Sequence, residues 1–183
     1  APADADEMRR LMPQTVDYPG PIYIRLGKGY DPIVTNDDAP FQIGKAILSK
    51  AGDEVLIVTT GICLERALEG AAQLKEKGIE AAVLHVHTIK PLDTASILEH
   101  ASPASVIVSV EEHTVIGGLG SAVAETLAES SFQSVKRFRR IGIPDEFPSE
   151  YGSQDSLMER SQITSDGIVS VVEGLLREST TVA

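Results

Sequence analysis

The sequence predicts an α/β fold in which helices cover both faces of a parallel sheet. Short apolar, β-branched runs at residues 54–60, 81–86 and 106–110 have the composition of strands buried on both faces. Segments with apolar residues at helical spacing alternate with these runs. Polar residues and glycines follow the strand runs, as they do at the carboxyl edge of a doubly wound sheet, where such folds place their sites.

The first 33 residues are predicted to be the tail of another domain. Residues 1–12 carry acidic residues early and arginines late, an order that suits a helix dipole. Residues 22–26 predict a short strand, closed by a glycine on each side of Lys28. One helix and one strand cannot form a core, so the body of that domain is expected outside this chain or on a partner. Residues 34–40 are polar and turn-rich, which predicts a linker.

Residues 41–183 are predicted to form the main domain. Residues 41–48 fit either a strand or a helix. Apolar periodicity and capping residues set the later elements. In order, these are a strand at 54–60, a helix at about 64–78, a strand at 81–86, a helix from Asp93 to about 101, a strand at 106–110, a helix at about 118–129, a strand at 135–141, an irregular crossing at 143–161 and a helix from Thr164 to about Arg177.

Composition narrows the class of protein. A net charge of −11 over 183 residues argues against nucleic acid as the main partner. The longest apolar runs are a few residues, so no membrane span or secretory leader is expected. The single cysteine, Cys63, allows no intrachain disulfide and fits a cytoplasmic location. Because the chain starts with alanine, either methionine trimming or a cut from a longer chain is expected.

Two features have a structural and a chemical interpretation. Cys63 stands at a probable helix start, where a dipole could activate it, but a small buried apolar residue is the favoured interpretation. The basic run at residues 136–140 predicts a charged edge strand that blocks sheet-to-sheet pairing. The alternative for that run is a contact with a phosphate or a partner.

The richest polar stretch follows the predicted strand at 106–110. It consists of Glu111, Glu112, His113, Gly117, Gly118 and Gly120. A structural or interface role is favoured, with the glutamates hydrogen-bonded to backbone or arginine. An acid–base pair and an anion at the helix start are the alternatives. Metal ligation is a further hypothesis, should the strand that carries His85 and His87 lie beside this one, although ordinary hydrogen bonds are favoured for those histidines.

A second candidate site is the pair Arg25 and Lys28. A cation beside glycines could clamp a phosphate group, and an exposed lysine is the alternative. No nucleophile–base–orienter set and no Gly-Asp-Gly metal–diphosphate motif is present. The sequence therefore predicts no catalytic residue, no metal site and no self-sufficient enzyme.

Four segments together carry a family resemblance. They are GPIYIRLGKG at 20–29, TTG at 59–61, HTIKPLD at 87–93 and VEEHTVIGGLGSAVAE at 110–125. In this combination the chain resembles the C-terminal portion of transketolase, closest to the split, two-subunit type. Its opening residues resemble the last helix of the pyrimidine-binding domain. 1-Deoxyxylulose-5-phosphate synthase and the 2-oxoacid dehydrogenase E1 β subunits share weaker versions of these segments.

The resemblance implies a three-layer αβα domain with a mostly parallel sheet of about five strands and one antiparallel edge strand. It implies ketol transfer between sugar phosphates, dependent on thiamine diphosphate and Mg²⁺, in a homodimer. The cofactor and metal motif would lie on the missing domains or an N-terminal subunit, so none is expected on this chain alone. The chain's own role would be structural, and it would be inactive by itself.

The resemblance also assigns one candidate residue. Transketolases place a substrate-phosphate-binding arginine at the end of the GPIYIRL-type strand, and by position Lys28 stands there, with Arg25 able to share the role. A lysine keeps the charge but loses the planar, bidentate grip of arginine. A hypothesis of another class is a stand-alone regulatory module that binds an anion at residues 117–120.

Overall fold

The computed structural model describes residues 1–29, 31–36 and 40–180, with side chains up to residue 178. Residues 37–39 of the predicted linker 34–40 lie outside the described residues. The elements are α1 (Ala5–Thr15), β1 (Ile47–Lys50), β2 (Val55–Thr59), α2 (Cys63–Glu76), β3 (Ala81–His85), α3 (Thr94–Ala101), β4 (Val106–Thr114), α4 (Leu119–Ala128), β5 (Arg137–Ile143), α5 (Gln154–Arg160) and α6 (Ser165–Thr180).

The five strands form one sheet in the order β1-β3-β2-β4-β5. Strands β3, β2, β4 and β5 run parallel, and β1 pairs antiparallel with β3 at one edge. The mostly parallel, five-stranded sheet with one antiparallel edge strand is confirmed. The basic run at 136–140 falls largely on β5, at the opposite edge, as the charged-edge interpretation predicts.

Each face of the sheet has its own core. On one face α2 and α6 cover residues such as Ile57 and Val108, which are fully buried. On the other face α3 and α4 cover residues such as Leu56 and Ile107. Successive residues of β2 and β4 enter opposite cores, which is why these strands read as continuous apolar runs rather than as alternating ones.

The predicted strand at 22–26 is wrong. Residues 21–27 have no regular secondary structure and form no ladder in the described part of the chain. A strand is defined by hydrogen bonds to a neighbour, and no described strand lies beside this segment. Its large side chains stay outside: Tyr23 is 87% exposed and Leu26 60% exposed.

In three other segments the structure shows more regular structure than the sequence predicted. The ambiguous stretch 41–48 ends in the strand β1, and the crossing at 143–161 contains the helix α5. Strand β4 continues to Thr114 because its end pairs with the end of β5. None of the helices in the described residues is long and apolar enough to cross a bilayer.

Asp4, the residue that caps helix α1, ties the start of the helix to residues 34 and 35. Asp4 caps the helix by accepting from the backbone N–H of Glu7 at 2.8 Å. The same carboxylate accepts from the backbone N–H groups of Val34 and Thr35, at 2.8 and 2.7 Å, and from the Thr35 hydroxyl. The helix and the start of the linker region are therefore joined through one buried side chain.

Candidate functional site

The strand order places a topological switch point between β2 and β4. From β2 the chain goes to β3 on one side, and it then crosses to β4 on the other. Sheets of this class bind ligands in the crevice beyond the carboxyl ends of such a strand pair. Here residues 25–27 of the N-terminal tail enter that crevice, where Arg25 and Gly27 line one small space together with Gly61 and Glu112. The free space left is about 20 Å³, room for about one water molecule and too little for a ligand.

Glu111 occupies the N-terminus of helix α4. Its two carboxylate oxygens accept from the backbone N–H groups of Leu119 and Gly120, each at 2.7 Å. Gly118 makes room for this carboxylate, since a Cβ there would lie 2.1 Å from Glu111 Oε2. Gly117 has a φ of 75°, which a glycine adopts without strain. The protein's own carboxylate thus fills the place that the anion-binding hypothesis reserved for a ligand.

Glu112 faces the tail instead. Its Oε2 accepts from the Arg25 guanidinium at 3.4 Å, and its Oε1 accepts from the side-chain amide of Gln154 on α5 at 2.9 Å. The ion pair is partly buried, with side-chain exposures of 37% for Arg25 and 24% for Glu112. One carboxylate therefore joins the tail, the end of β4 and α5.

A cavity of about 600 Å³ lies beside this junction, within the size range of small-molecule sites. Three of its lining residues are cations: Arg25, Lys28 and Arg160. Arg25 pairs with Glu112, and Arg160 pairs with Glu150. Lys28 is exposed and has no ion pair or hydrogen bond among the described residues. The structure therefore brings both predicted cations to one cavity and leaves the charge of Lys28 uncompensated there.

The hypothesis of a metal site is not supported by the positions of the strands. Strand β2 separates β3, which ends at His85, from β4, which ends in the acidic stretch. Within the described residues no group of three His, Cys, Asp or Glu side chains could hold a metal ion. His113 is half-exposed, and its Nδ1 lies 2.9 Å from the backbone oxygen of Thr114.

His85 and His87 instead belong to a buried cluster with Glu7, a residue that sequence reasoning missed. His85 Nε2 lies 2.9 Å from Glu7 Oε2, and both side chains are essentially inaccessible. The His87 ring stacks on Phe41 at a centroid distance of 4.2 Å. The only indication in the sequence was that Glu7 is an acidic residue in the first turn of a predicted helix. That position predicts an interaction with the helix dipole and not burial in a core.

Ionisation in this cluster follows from burial and contacts. Burial lowers the pKa of His87 to about 4, so the imidazole is neutral at pH 7. Burial opposes ionisation of Glu7, but the hydrogen bond and charge of His85 and the N–H of Ala3 outweigh it and lower the pKa of Glu7. The cluster therefore contains a buried carboxylate held by hydrogen bonds.

Cys63 is fully buried at the start of α2. Burial raises the pKa of its thiol to about 12, so almost no thiolate is present at neutral pH. The interpretation of Cys63 as a small buried apolar residue is confirmed, and the nucleophile alternative is wrong.

Comparison with known proteins identifies the family. The family described as "Transketolase, C-terminal domain" matches residues 44–168. The 6-deoxy-6-sulfo-D-fructose transketolase subunit SqwH of Clostridium sp. strain MSTE9 is 39% identical over 92% of this chain and 51% of that protein. The 1-deoxy-D-xylulose-5-phosphate synthase 1 of Geobacter sulfurreducens is 38% identical over 96% of this chain and 28% of that protein.

A solved structure agrees with both the sequence match and the fold. A split gene transketolase, described as an inactive beta4 tetramer, superposes with a TM-score of 0.87 at 36% identity, over 96% of this chain and 56% of that one. The chain thus spans about half the length of its split-subunit relatives. Its fold, its motifs and these matches agree that the chain belongs to the transketolase family and contains that family's C-terminal domain.

Proposed function

We propose that the chain is the C-terminal part of a transketolase that moves a two-carbon ketol unit between sugar phosphates. Its own role is to support assembly and to shape one end of the substrate site, and it is inactive alone. The likeness to a split gene transketolase over 96% of the chain is the observation that carries the proposal. The missing domains, or a separate N-terminal subunit, are the proposed partners, within a homodimeric assembly.

Thiamine diphosphate and Mg²⁺ are assigned to the missing domains. Among the described residues no group of three acidic, histidine or cysteine side chains is placed to hold a metal ion by itself. When bound in the complete enzyme, the cofactor supplies the carbanion chemistry of ketol transfer. This chain contributes residues that bind and orient the substrate.

The proposed contact with substrate is electrostatic. Lys28 lines the cavity next to the paired Arg25 and has no ion-pair or hydrogen-bond partner among the described residues. A single ammonium binds an anionic group as a point charge and imposes less geometry than arginine does. This suits the phosphate end of a sugar phosphate, and the sulfo group named for one relative's substrate is also an anion. We propose a cytoplasmic location and the pentose phosphate pathway as the setting.

Adding the missing domains to the chain tests the proposal. We expect no turnover from the isolated chain, and thiamine-diphosphate-dependent transfer from a ketose phosphate donor to an aldose phosphate once the domains are supplied. Turnover by the chain alone would contradict it. The matched comparison is pyruvate as donor, since the synthase relative and the dehydrogenase E1 β subunits represent the second candidate function. Activity with pyruvate and none with ketose phosphates would favour that candidate.

A third candidate, the stand-alone anion-binding module, has less support. The N-terminus of α4 is already capped by Glu111 through two 2.7 Å hydrogen bonds. Calorimetry with nucleotides and sugar phosphates would detect such a module. Saturable micromolar binding by the isolated chain would revive it.

A further inference from the structure

Four cations lie close together on and beside strand β5 without a carboxylate partner among the described residues. Elsewhere in this acidic chain, most described lysines and arginines form an ion pair with a carboxylate. Lys136, Arg137 and Arg140 instead donate to uncharged oxygens. Arg139 is exposed and has no hydrogen bond or ion pair within the described part of the chain. This edge of the sheet is therefore a positive patch on a protein whose net charge is −11.

The outer edge of β5 has main-chain groups available to a further strand. Strand β5 is seven residues long, and β4 is its one neighbour among the described strands. The backbone N–H of Arg137 donates to the backbone oxygen of Ser105, so the main-chain groups of Arg137 and Arg139 face β4. Because these groups point to alternate sides along a strand, those of Phe138 and Arg140 face outwards. Each of these two residues offers one donor and one acceptor.

A cavity of about 400 Å³ lies beside this edge, between β5 and α6. Arg139 and Arg140 line it together with the apolar residues Ile141 and Leu175. Glu178, the carboxylate among its described lining residues, is exposed. The side chains on one face of an added strand would find both apolar contacts and an excess of positive charge there.

We propose that the outer edge of β5 is the docking site of an extended acidic segment from another protein, which adds to the sheet as a sixth strand. The outward main-chain groups supply the ladder hydrogen bonds, and carboxylates of the added strand lie opposite the arginines. The same arginines repel a second copy of β5. Charge therefore selects the partner, a role that goes beyond the proposed function.

This edge lies away from the part of the chain that resembles the missing domain. Within residues 1–12, Glu7 contacts His85 at the end of β3, and β2 and β4 separate β3 from β5. Residues 25–28 share a cavity with Ile143 at the carboxyl end of β5, but with none of residues 137–142. We therefore expect the edge to stay open when the missing domains are present.

The test measures the binding of a fluorescent peptide to the complete protein, which is the chain together with its missing domains. The peptide has the length of β5, seven residues, and alternates glutamate with valine; its counterpart has glutamine in place of glutamate. Fluorescence anisotropy should show the acidic peptide binding about two- to thirtyfold more tightly, the range expected of two partly exposed ion pairs. This preference should shrink as salt is raised. No saturable binding, or equal binding of both peptides, would overturn the inference.

N-methylation of the acidic peptide distinguishes strand addition from simple attraction of a polyanion. Alternate N–H groups of a strand face the same neighbour, so methylating one alternate set should abolish binding and methylating the other set should not. If both methylated peptides bind as tightly as the parent, the patch attracts any polyanion and the inference is wrong.

Arg139→Gln tests the charge of the patch at a side chain that holds no described contact. We expect the affinity for the acidic peptide to fall about two- to fivefold, with no change for the glutamine peptide. The matched control is Lys90→Gln, because Lys90 follows β3 and also has no ion pair among the described residues. An equal fall in both variants would show an effect of net charge alone and would contradict the proposal. Binding is measured without turnover, so a failure of the proposed function would leave this test unaffected.

Discussion

Glu111 and Glu112 are neighbours in sequence and have unrelated surroundings. Successive side chains of a strand point to opposite sides, so Glu111 turns to the N-terminus of α4 and Glu112 turns to the tail. The sequence could predict that both would be hydrogen-bonded. It could not assign the partners, because Arg25 and Gln154 lie 87 and 42 residues away along the chain.

At the scale of single residues, the buried cluster around His87 predicts sensitivity to acid. The pKa of His87 is lowered to about 4 by burial, and the pKa of Glu7 is also lowered, by contacts that outweigh its burial. The unfolded chain therefore takes up protons at higher pH than the folded chain does. Stability is fully present above about pH 6.5, the ordinary histidine range, and falls as the pH approaches 4.

Urea unfolding at a series of pH values, followed by circular dichroism, measures this effect. We expect the free energy of unfolding to drop by on the order of 2 kcal/mol between pH 6.5 and 4 from His87 alone. His87→Gln removes the titrating group. The variant should therefore be less stable than the wild type at pH 7, but its free energy of unfolding should fall less between pH 6.5 and 4. An unchanged pH slope in the variant would contradict this assignment.

At the scale of elements, strand and helix patterns predicted the central sheet well. Strands β2, β3 and β4 are buried throughout most of their length, and burial on both faces produces the apolar runs that identify them. Residues 21–27 have a similar composition, but the partner needed to make a strand is not among the described residues. Composition therefore indicates that a segment can form a β-strand, but the strand forms only where a neighbouring strand is present to share its hydrogen bonds.

Two glycine-to-alanine substitutions, one at the start of α4 and one within α6, are expected to change stability in opposite directions. Gly118→Ala would place a methyl group 2.1 Å from Glu111 Oε2 and displace the capping carboxylate. We expect a loss of about 1–3 kcal/mol, as for other overpacked sites. Gly174→Ala is the matched control, since nothing lies within 4 Å of its Cβ in α6. It should stabilise the protein by about 0.5–1 kcal/mol.

Urea unfolding of the two alanine variants beside the wild type checks the difference in sign. Equal stability of Gly118→Ala and the wild type would show that the carboxylate of Glu111 can move without cost. The helix would then have to find another acceptor for the N–H groups of Leu119 and Gly120.

At the scale of the whole molecule, the exposed tail predicts a surface that is covered in the complete enzyme. Ile22, Tyr23 and Leu26 are 37, 87 and 60% exposed, in a segment that pairs with no strand among the described residues. The split-subunit relatives are about twice as long as this chain. We expect residues 21–27 to gain a strand partner when the missing domains are added.

Hydrogen exchange followed by mass spectrometry measures this change. The amides of residues 21–27 should exchange rapidly in the chain alone and at least tenfold more slowly in the complete enzyme, as expected of amides that enter a sheet. The amides of β3, which is buried on both faces, should stay protected in both and serve as the internal control. Equal exchange at 21–27 in the two samples would contradict the expected pairing.

The capping of α4 by Glu111 also bears on how the domain tolerates its chemical surroundings. The carboxylate of Glu111 lies only eight residues along the chain from the N–H group that donates to it and cannot diffuse away, so the start of the helix stays neutralised whatever the concentration of dissolved anions. Free phosphate or sulfate is not expected to bind there, because the N–H groups at this end of the helix already donate to Glu111. Dissolved phosphate esters are therefore not expected to change the charge at this end of α4.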